Sequence, residues 1–94
     1  MGEQTFVKNA KRIVTEYANR HLDPGDGIHI IEDDVYIVWL CKVLQNNKAL
    51  LSTNLYDGMY YEVTYNGDKD EFYLDAYKKF QNVRIRPDEA PEVN

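Results

Sequence analysis

The chain has 94 residues, the length of one domain, and 44% of them are hydrophobic, which is typical of a globular protein. Eleven Lys and Arg against 16 Asp and Glu give a net charge of −5, which argues against non-specific binding to the phosphates of DNA or RNA. The longest uninterrupted apolar run, residues 35–41, is too short to cross a bilayer, which takes about 20 residues.

The cysteine content and the N-terminal composition bear on the compartment. Cys41 is the single cysteine, so an internal disulfide is excluded and a reducing environment is indicated. The first 20 residues are polar and charged and lack the apolar segment of a signal peptide. We therefore expect a cytoplasmic protein with neither a membrane nor a nucleic acid as its partner.

The first predicted element is an amphipathic helix over Glu3–His21. Its apolar residues recur at helical spacing and form one stripe: Phe6, Ala10, Ile13, Val14 and Tyr17. Pro24 ends the helical pattern, because proline lacks the backbone donor that a continuing helix needs.

The second predicted element, residues 35–45 (VYIVWLCKVLQ), holds the only Trp and the only Cys. Alternation would place Trp39 and Cys41 on one face and Tyr36 and Leu40 on the other, so both faces are apolar. Periodicity alone does not exclude a buried helix, but the β-branched and aromatic content favours a strand. We predict a central strand covered on both sides, with a helix on one side and the C-terminal segment, a partner chain or a ligand on the other. Cys41 would then be a buried, inert residue.

The remaining elements are short strands joined by turns. Residues 28–31 are a possible edge strand, and strands are predicted over residues 48–53, 59–65 and 71–76. Turns are predicted at Asn46-Asn47 and at Asn66-Gly67, the latter as a type I′ hairpin that places Tyr61 opposite Phe72. Residues 77–82 suit a helical turn, and residues 83–85 suit a last short strand.

The predicted fold class is therefore α+β: an N-terminal amphipathic helix packed on a four-stranded antiparallel meander sheet, in two layers. We predict a single domain over residues 1–86 and a disordered, proline-rich tail over residues 87–94. The core side of the second hairpin is predicted to carry these residues: Met59, Tyr61, Val63, Phe72 and Leu74.

No arrangement of reactive side chains predicts a catalytic, cofactor-binding or metal-binding residue. The segment from Asp23 to Glu32 lacks the ligands that a calcium loop needs at its third and fifth positions. His21 and His29 match no metal-ligand spacing, and Glu62 and Glu71 are interpreted as a solvated charged surface rather than an acid–base pair. We expect no enzyme activity and no cofactor.

Eight tyrosines are present, and five of them cluster in the C-terminal hairpin. A tyrosine combines a large apolar area with a polar tip, which suits protein interfaces. Stacking of nucleic-acid bases on such rings is disfavoured, because carboxylates rather than cations surround them. The predicted interaction face consists of five residues: Tyr60, Glu62, Tyr73, Tyr77 and Tyr36.

Two phrases in the sequence, W-x-C-K-x-L-Q-N-x-K-A-L and E-V-T-Y-N-G-D-K, point to a family. Over residues 6–85 the chain resembles short uncharacterised proteins encoded by phages and prophages of Gram-positive bacteria such as streptococci and lactococci. The resemblance implies expression in the cytoplasm of an infected or lysogenic bacterium and an accessory role in phage biology. Because that family has no assigned activity, it implies no functional residue.

These observations favour a non-enzymatic protein-binding module, whose partner is a host protein, a phage protein or a second copy of the chain. The alternative is a small-molecule-binding or enzymatic domain with a pocket between helix and sheet.

Overall fold

In the computed structural model, residues 1–88 are described as one helix packed on one face of a four-stranded antiparallel sheet. The elements are α1 (Glu3–His21), β1 (Val35–Val43), β2 (Asn46–Thr53), β3 (Met59–Asn66) and β4 (Glu71–Lys78). The strands pair in chain order, β1-β2-β3-β4. The predicted two-layer α+β meander is therefore confirmed, and the predicted bounds of the helix are those observed.

The core lies between α1 and the face of the sheet that we call the inner face. Helix α1 buries a stripe with one residue per turn, formed by Phe6, Ala10, Val14 and Ala18. The rings of Phe6 and Phe72 stack with centroids 6.4 Å apart, and Tyr17 meets Tyr61 edge-on at 5.7 Å. From the strands, Ala49, Leu51 and Val63 are fully buried. The predicted core side of the second hairpin is thus confirmed.

Strand β1 occupies a different place from the predicted one. It pairs only with β2 and forms an edge of the sheet, so the prediction of a central strand is wrong. Apolar residues on both faces were interpreted as cover on both sides, but α1 covers only the inner face. On the other face, which we call the outer face, Tyr36 and Trp39 remain 49% and 41% exposed.

A β-bulge at Val38 explains how β1 divides its side chains between the two faces. Ile37 pairs with Leu51 and Trp39 pairs with Leu50, so Val38 is an extra residue without a place in the ladder. An extra residue reverses the alternation beyond it. Leu40 therefore packs against the core, and Trp39 shares the outer face with Tyr36.

Both predicted hairpin turns are displaced. The first turn lies at Leu44–Gln45 rather than at Asn46–Asn47, with Leu44 in the left-handed region at φ 56°. This position adds the pairs Val43–Asn46 and Lys42–Asn47 to the ladder. The second turn contains residues 67–70, so Tyr65 rather than Tyr61 lies opposite Phe72.

The side chain of Asn66 explains the longer second turn. Its Oδ1 accepts hydrogen bonds from the backbone N–H groups of Asp68 at 3.1 Å and Lys69 at 3.2 Å. An asparagine that bonds its own following backbone in this way stabilises a turn without the type I′ geometry.

Four further predictions concern segments between or after the strands. Residues 28–31 form no strand; instead the Asn19 side chain binds the backbone N–H and C=O of Ile30, both at 2.9 Å. Residues 77–78 extend β4, and residues 79–86 form neither the helical turn nor the strand that was predicted. Of the predicted tail, Pro87 and Asp88 form a turn, and residues 89–94 lie outside the described residues.

Candidate interaction surface

An aromatic row crosses one end of the outer face. Tyr36, Ser52, Tyr60 and Tyr77 are cross-strand neighbours on the four strands. Ser52 is buried between its large neighbours, and its hydroxyl donates to the carbonyl oxygen of Met59 at 2.8 Å. Tyr36 and Tyr77, at the two edges of the sheet, are about half exposed. The row therefore presents a flat aromatic surface to its surroundings.

The next row adds a tryptophan and two carboxylates. Trp39, Leu50, Glu62 and Asp75 are neighbours across the strands. Glu62 is paired with Lys48, whose Nζ lies 3.1 Å from the Glu62 Oε1 atom. Within residues 1–88 Asp75 forms no ion pair, and it lies directly opposite Glu62, an arrangement of like charges that is destabilising. The middle of the outer face thus combines apolar rings with an excess of negative charge.

The third row contains Cys41, Lys48, Thr64 and Tyr73. Cys41 is exposed, so the prediction of a buried, inert cysteine is wrong. The cause is the bulge at Val38, which turns Cys41 to the outer face that α1 does not cover. The hydroxyl of Tyr73 donates a short hydrogen bond to the Glu71 carboxylate two residues earlier on β4.

An open groove of about 350 Å³ lies at the end of the aromatic row, where β4 ends. Its walls are formed by Leu50, Tyr60 and Tyr77, together with Lys78 and Lys79. This volume is near the lower end of the range for small-molecule sites, about 300–1,000 Å³. A smaller depression of about 220 Å³ lies beside Cys41, Val43 and Thr64. Both depressions adjoin the outer face rather than the core between helix and sheet.

All five residues of the predicted interaction face lie on the outer face: Tyr36, Tyr60, Glu62, Tyr73 and Tyr77. The structure also brings Trp39, Leu50 and Asp75 to the same face, which the sequence analysis did not include. Strand alternation placed Trp39 on the face opposite Tyr36, and no residue type in the run signals the bulge that brings them together. Asp75 was recognisable in principle, since it alternates with Tyr73 and Tyr77 along β4.

Other side chains singled out from the sequence are not brought together. The exposed His21 stacks on Tyr17 with ring centroids 4.1 Å apart, and His29 is exposed on a loop. Asp23 accepts a hydrogen bond from the backbone N–H of Gly25 at 2.9 Å, as in an ordinary turn. In the described part of the chain, no group of three or more His, Cys, Asp or Glu residues is arranged to hold a metal ion.

Among residues 1–88 the clear pKa shifts belong to three tyrosines. Burial raises the pKa of Tyr61, and the neighbouring Asp57 adds to the effect. The pKa of Tyr65 is raised because its hydroxyl donates to the Asp70 carboxylate at 2.7 Å. The hydrogen bond to Glu71 likewise raises the pKa of Tyr73. All three shifts move the pKa further above physiological pH than the ordinary value for tyrosine.

Comparison with known proteins places the chain in a family. The profile of a family of unknown function, DUF6275, matches residues 7–87. The chain belongs to this family. No curated protein and no solved structure matches this DUF6275 chain.

The DUF6275 match includes all four strands and most of α1, so the outer face lies within the family region. None of the helices in residues 1–88 is both long enough and apolar enough to cross a membrane.

Proposed function

We propose that this DUF6275 protein is a non-enzymatic protein-binding module whose binding surface is the outer face of the sheet. The observation that carries the proposal is the set of large side chains left exposed there although α1 already encloses a core. Tyr36, Trp39 and Tyr77 are 49%, 41% and 52% exposed on one side of the sheet. Tryptophan and tyrosine are enriched in the energetically dominant parts of protein interfaces.

The charge of this face favours a protein over a nucleic acid. Proteins that stack single-stranded bases on exposed aromatic residues surround them with cations. Here Glu62, Asp75 and Glu71 lie among the rings, and Lys48 pairs with Glu62. A protein partner with apolar and basic side chains would complement this surface.

The biological setting is part of the proposal. We place the protein in the cytoplasm of a bacterium that carries a phage or prophage, where it would act as an accessory protein. The support is the resemblance of residues 6–85 to phage-encoded proteins of Gram-positive bacteria, together with the single cysteine. A host protein, a phage protein or a second copy of the chain would bind the outer face.

The first step of the test is an affinity capture from a lysate of a Gram-positive host, with and without nuclease. The captured protein is then purified, and its affinity for the wild-type chain and for the variants is measured. The double variant Tyr36→Ser/Tyr77→Ser removes two exposed rings from the outer face. We expect it to weaken binding at least about tenfold, as is typical of aromatic interface anchors. The matched control is Tyr56→Ser, because Tyr56 is fully exposed in the loop between β2 and β3.

Two results would contradict the proposal. Equal affinity of the double variant and Tyr56→Ser for the purified partner would show that the outer face is not the binding surface. Capture that disappears on nuclease treatment would indicate a nucleic acid as the bridging ligand. Circular dichroism of each variant checks that the fold is retained.

The groove beside Tyr60 and Tyr77 keeps the small-molecule alternative open, at a different place from the predicted one. The space between helix and sheet is filled by fully buried side chains such as Phe6, Val14 and Leu51. A ligand would instead contact the walls of the groove on the outer face. Ligand-observed NMR with a fragment set, compared between wild type and Tyr60→Ser, tests this alternative.

A further inference from the structure

The segment that follows β4 differs in charge from the rest of the chain. We call residues 79–86 the C-terminal arm. It contains three cations, Lys79, Arg84 and Arg86, and no carboxylate, in a chain with a net charge of −5. Phe80 is 97% exposed and Ile85 is 55% exposed. The arm is attached to the body at its start, where the Lys79 N–H donates to the Gly58 carbonyl oxygen at 2.7 Å, and it leaves the large apolar side chains of Phe80 and Ile85 exposed on a basic segment.

The molecule is flat and more extended than a compact domain, with extents of 43 × 43 × 20 Å. The radius of gyration is 15.8 Å, whereas a compact domain of this length has about 12 Å. Large apolar side chains on such a segment cost free energy while they face water. A binding site for them would remove that cost.

The outer face has the complementary properties. Its aromatic row ends in the apolar groove between Tyr60 and Tyr77, whose rim also carries Lys78 and Lys79. Along the rows beyond the groove, towards Glu71, carboxylates exceed cations. Lys48 offsets the charge of Glu62 only, so Asp75 and Glu71 remain as negative charges along β4. A segment that combines an aromatic side chain with basic ones matches this surface in both polarity and charge.

We infer that the C-terminal arm of one molecule docks on the outer face of a second copy, and reciprocally, so that the protein forms a dimer by exchange of arms. The inference rests on the proposed function and names the partner. Phe80 fills the groove beside Tyr77 of the second copy. An extended chain covers the four residues from Phe80 to Arg84 in about 13 Å, which equals the distance from Tyr77 back to Tyr73 along β4. Arg84 then lies beside Tyr73 and the Glu71 carboxylate.

The C-terminal arm is poorly placed to dock on the outer face of its own molecule. Lys79 already forms part of the groove wall, and Phe80 is the next residue. Its ring would reach its own groove only after a tight reversal of the chain at this point. In the structure the Phe80 side chain instead faces away from the body, almost fully exposed.

Two other modes of self-association fit less well. The helix of a second copy has no apolar stripe to offer, because Phe6, Ala10 and Val14 are buried in its own core. Direct contact between two outer faces would bring Glu62 and Asp75 of one molecule towards the same carboxylates of the other, which costs free energy. Docking of the C-terminal arm differs from both of these modes, because the arm brings cations to the carboxylates of the outer face.

The test measures the oligomeric state of the purified full-length chain by analytical ultracentrifugation at concentrations up to about 1 mM. We expect a dimer whose affinity falls as salt is added. Phe80→Ser should raise the dissociation constant at least about tenfold, and Arg84→Glu should have a similar effect. Tyr56→Ser, which removes an equally exposed aromatic residue elsewhere, should leave the dimer unchanged.

A charge exchange tests the proposed contact between Arg84 and Glu71. Glu71→Arg should weaken the dimer, and its combination with Arg84→Glu should restore at least part of the lost affinity, because the ion pair is re-formed with opposite orientation. Unfolding midpoints of the variants, measured in dilute solution, separate loss of the dimer from loss of the fold.

Several outcomes would overturn the inference. These are a wild-type protein that stays monomeric at about 1 mM, a dimer that persists in Phe80→Ser, or a dimer that persists in Tyr36→Ser/Tyr77→Ser. A monomer that still binds a purified host partner through the outer face would remove the inference and leave the proposed function intact. A monomer whose captured partner is indifferent to the outer-face variants would remove both.

Discussion

The inner and outer faces of the sheet are made by the same four strands, but they differ in what their side chains contribute. On the inner face Ala49, Leu51 and Val63 are fully buried beneath α1. On the outer face Trp39 and Tyr77 are large and apolar, and nearly half of each side chain is exposed. Adjacent residues of one strand therefore alternate between a buried and a partly exposed environment.

Because of this difference, we expect the inner face to determine stability and the outer face to determine binding. The inner face supplies the burial that offsets the loss of chain entropy on folding. The rings of the outer face bury less area, so removing one of them should cost little stability while changing what the surface can bind. The following predictions test that separation, from the largest expected effect to the smallest.

The largest effect is expected from the adjacent residues Leu51 and Leu50. Leu51→Ala leaves a cavity under α1 and should lower the free energy of unfolding by about 2–5 kcal/mol. Leu50→Ala makes the same change on the partly exposed outer face and should cost less than half as much. Urea unfolding of dilute protein, followed by circular dichroism, measures both. Equal losses would mean that both faces are covered to the same degree.

A gain in stability is expected at Asn47, a buried polar residue on the inner face. Asn47 is 2% exposed, and within residues 1–88 its Oδ1 atom has no hydrogen-bond partner. Burial of an unpaired amide costs about 1–3 kcal/mol, so Asn47→Leu should raise the free energy of unfolding by about 1 kcal/mol.

The neighbouring Asn46→Leu is the control for that gain, and it should be destabilising. The Asn46 Oδ1 atom accepts a hydrogen bond from the backbone N–H of Gly67 at 3.0 Å, and leucine removes that bond. If Asn47→Leu also lowers the free energy of unfolding, the Asn47 amide is hydrogen-bonded in solution.

Alkaline pH should lower stability through tyrosines on both faces, Tyr73 on the outer face and Tyr61 and Tyr65 on the inner face. The folded-state pKa values of Tyr61 and Tyr65 are raised above the ordinary value of 10.0. Their contribution to stability is therefore complete below pH 10 and is lost as the pH rises through the folded-state pKa values. Tyr65→Phe has no hydroxyl to ionise at this position, so its free energy of unfolding should fall less steeply above pH 10.

The measurement is the free energy of unfolding between about pH 8 and pH 11, by urea titration at each pH. Asp70→Asn provides a second test, because it removes the carboxylate that accepts the Tyr65 hydrogen bond. Its alkaline slope should also be shallower. A wild-type slope identical to that of both variants would disprove the role of the Tyr65–Asp70 pair.

The smallest effect is expected from the ion pair on the outer face. Lys48 and Glu62 approach to 3.1 Å, and the Lys48 side chain is 48% exposed. A double-mutant cycle with Lys48→Met and Glu62→Gln should give a coupling of about 0.2–1 kcal/mol that decreases with salt. The exposed pair Arg12–Glu16 on α1 is the reference. A coupling above about 2 kcal/mol would indicate that another molecule desolvates the outer face.

The sequence was sufficient for α1, for the four strands and for the part of the inner face that β3 and β4 contribute. Helical spacing in α1 and alternation in β3 are local properties, and both agree with the observed burial. The same local alternation explains why Tyr60, Glu62, Tyr73 and Tyr77 share the outer face, since they alternate with core residues along β3 and β4.

The sequence was not sufficient where one residue changes the register. The bulge at Val38 reverses the faces of Trp39 and Cys41, and nothing in the run of apolar residues distinguishes Val38 from its neighbours. The turns were displaced because side-chain hydrogen bonds decide them: the local bonds of Asn66 in the second turn, and the bond between Asn46 and Gly67 that joins the two hairpins. The edge position of β1 depends on the number and order of strands, which local pattern does not contain.

The contact between the two hairpin turns has a practical consequence for protein engineering. A side chain at Gly67 would place its Cβ atom 2.3 Å from the carbonyl oxygen of Gln45, and the Gln45 side-chain amide donates to Asp68 at 2.6 Å. The turns of the first and second hairpins are therefore in contact. An epitope tag or a fluorescent protein inserted in either turn would separate the two turns. The loop at the opposite end of the sheet, around the fully exposed Tyr56, is the site at which such a cargo should be accepted.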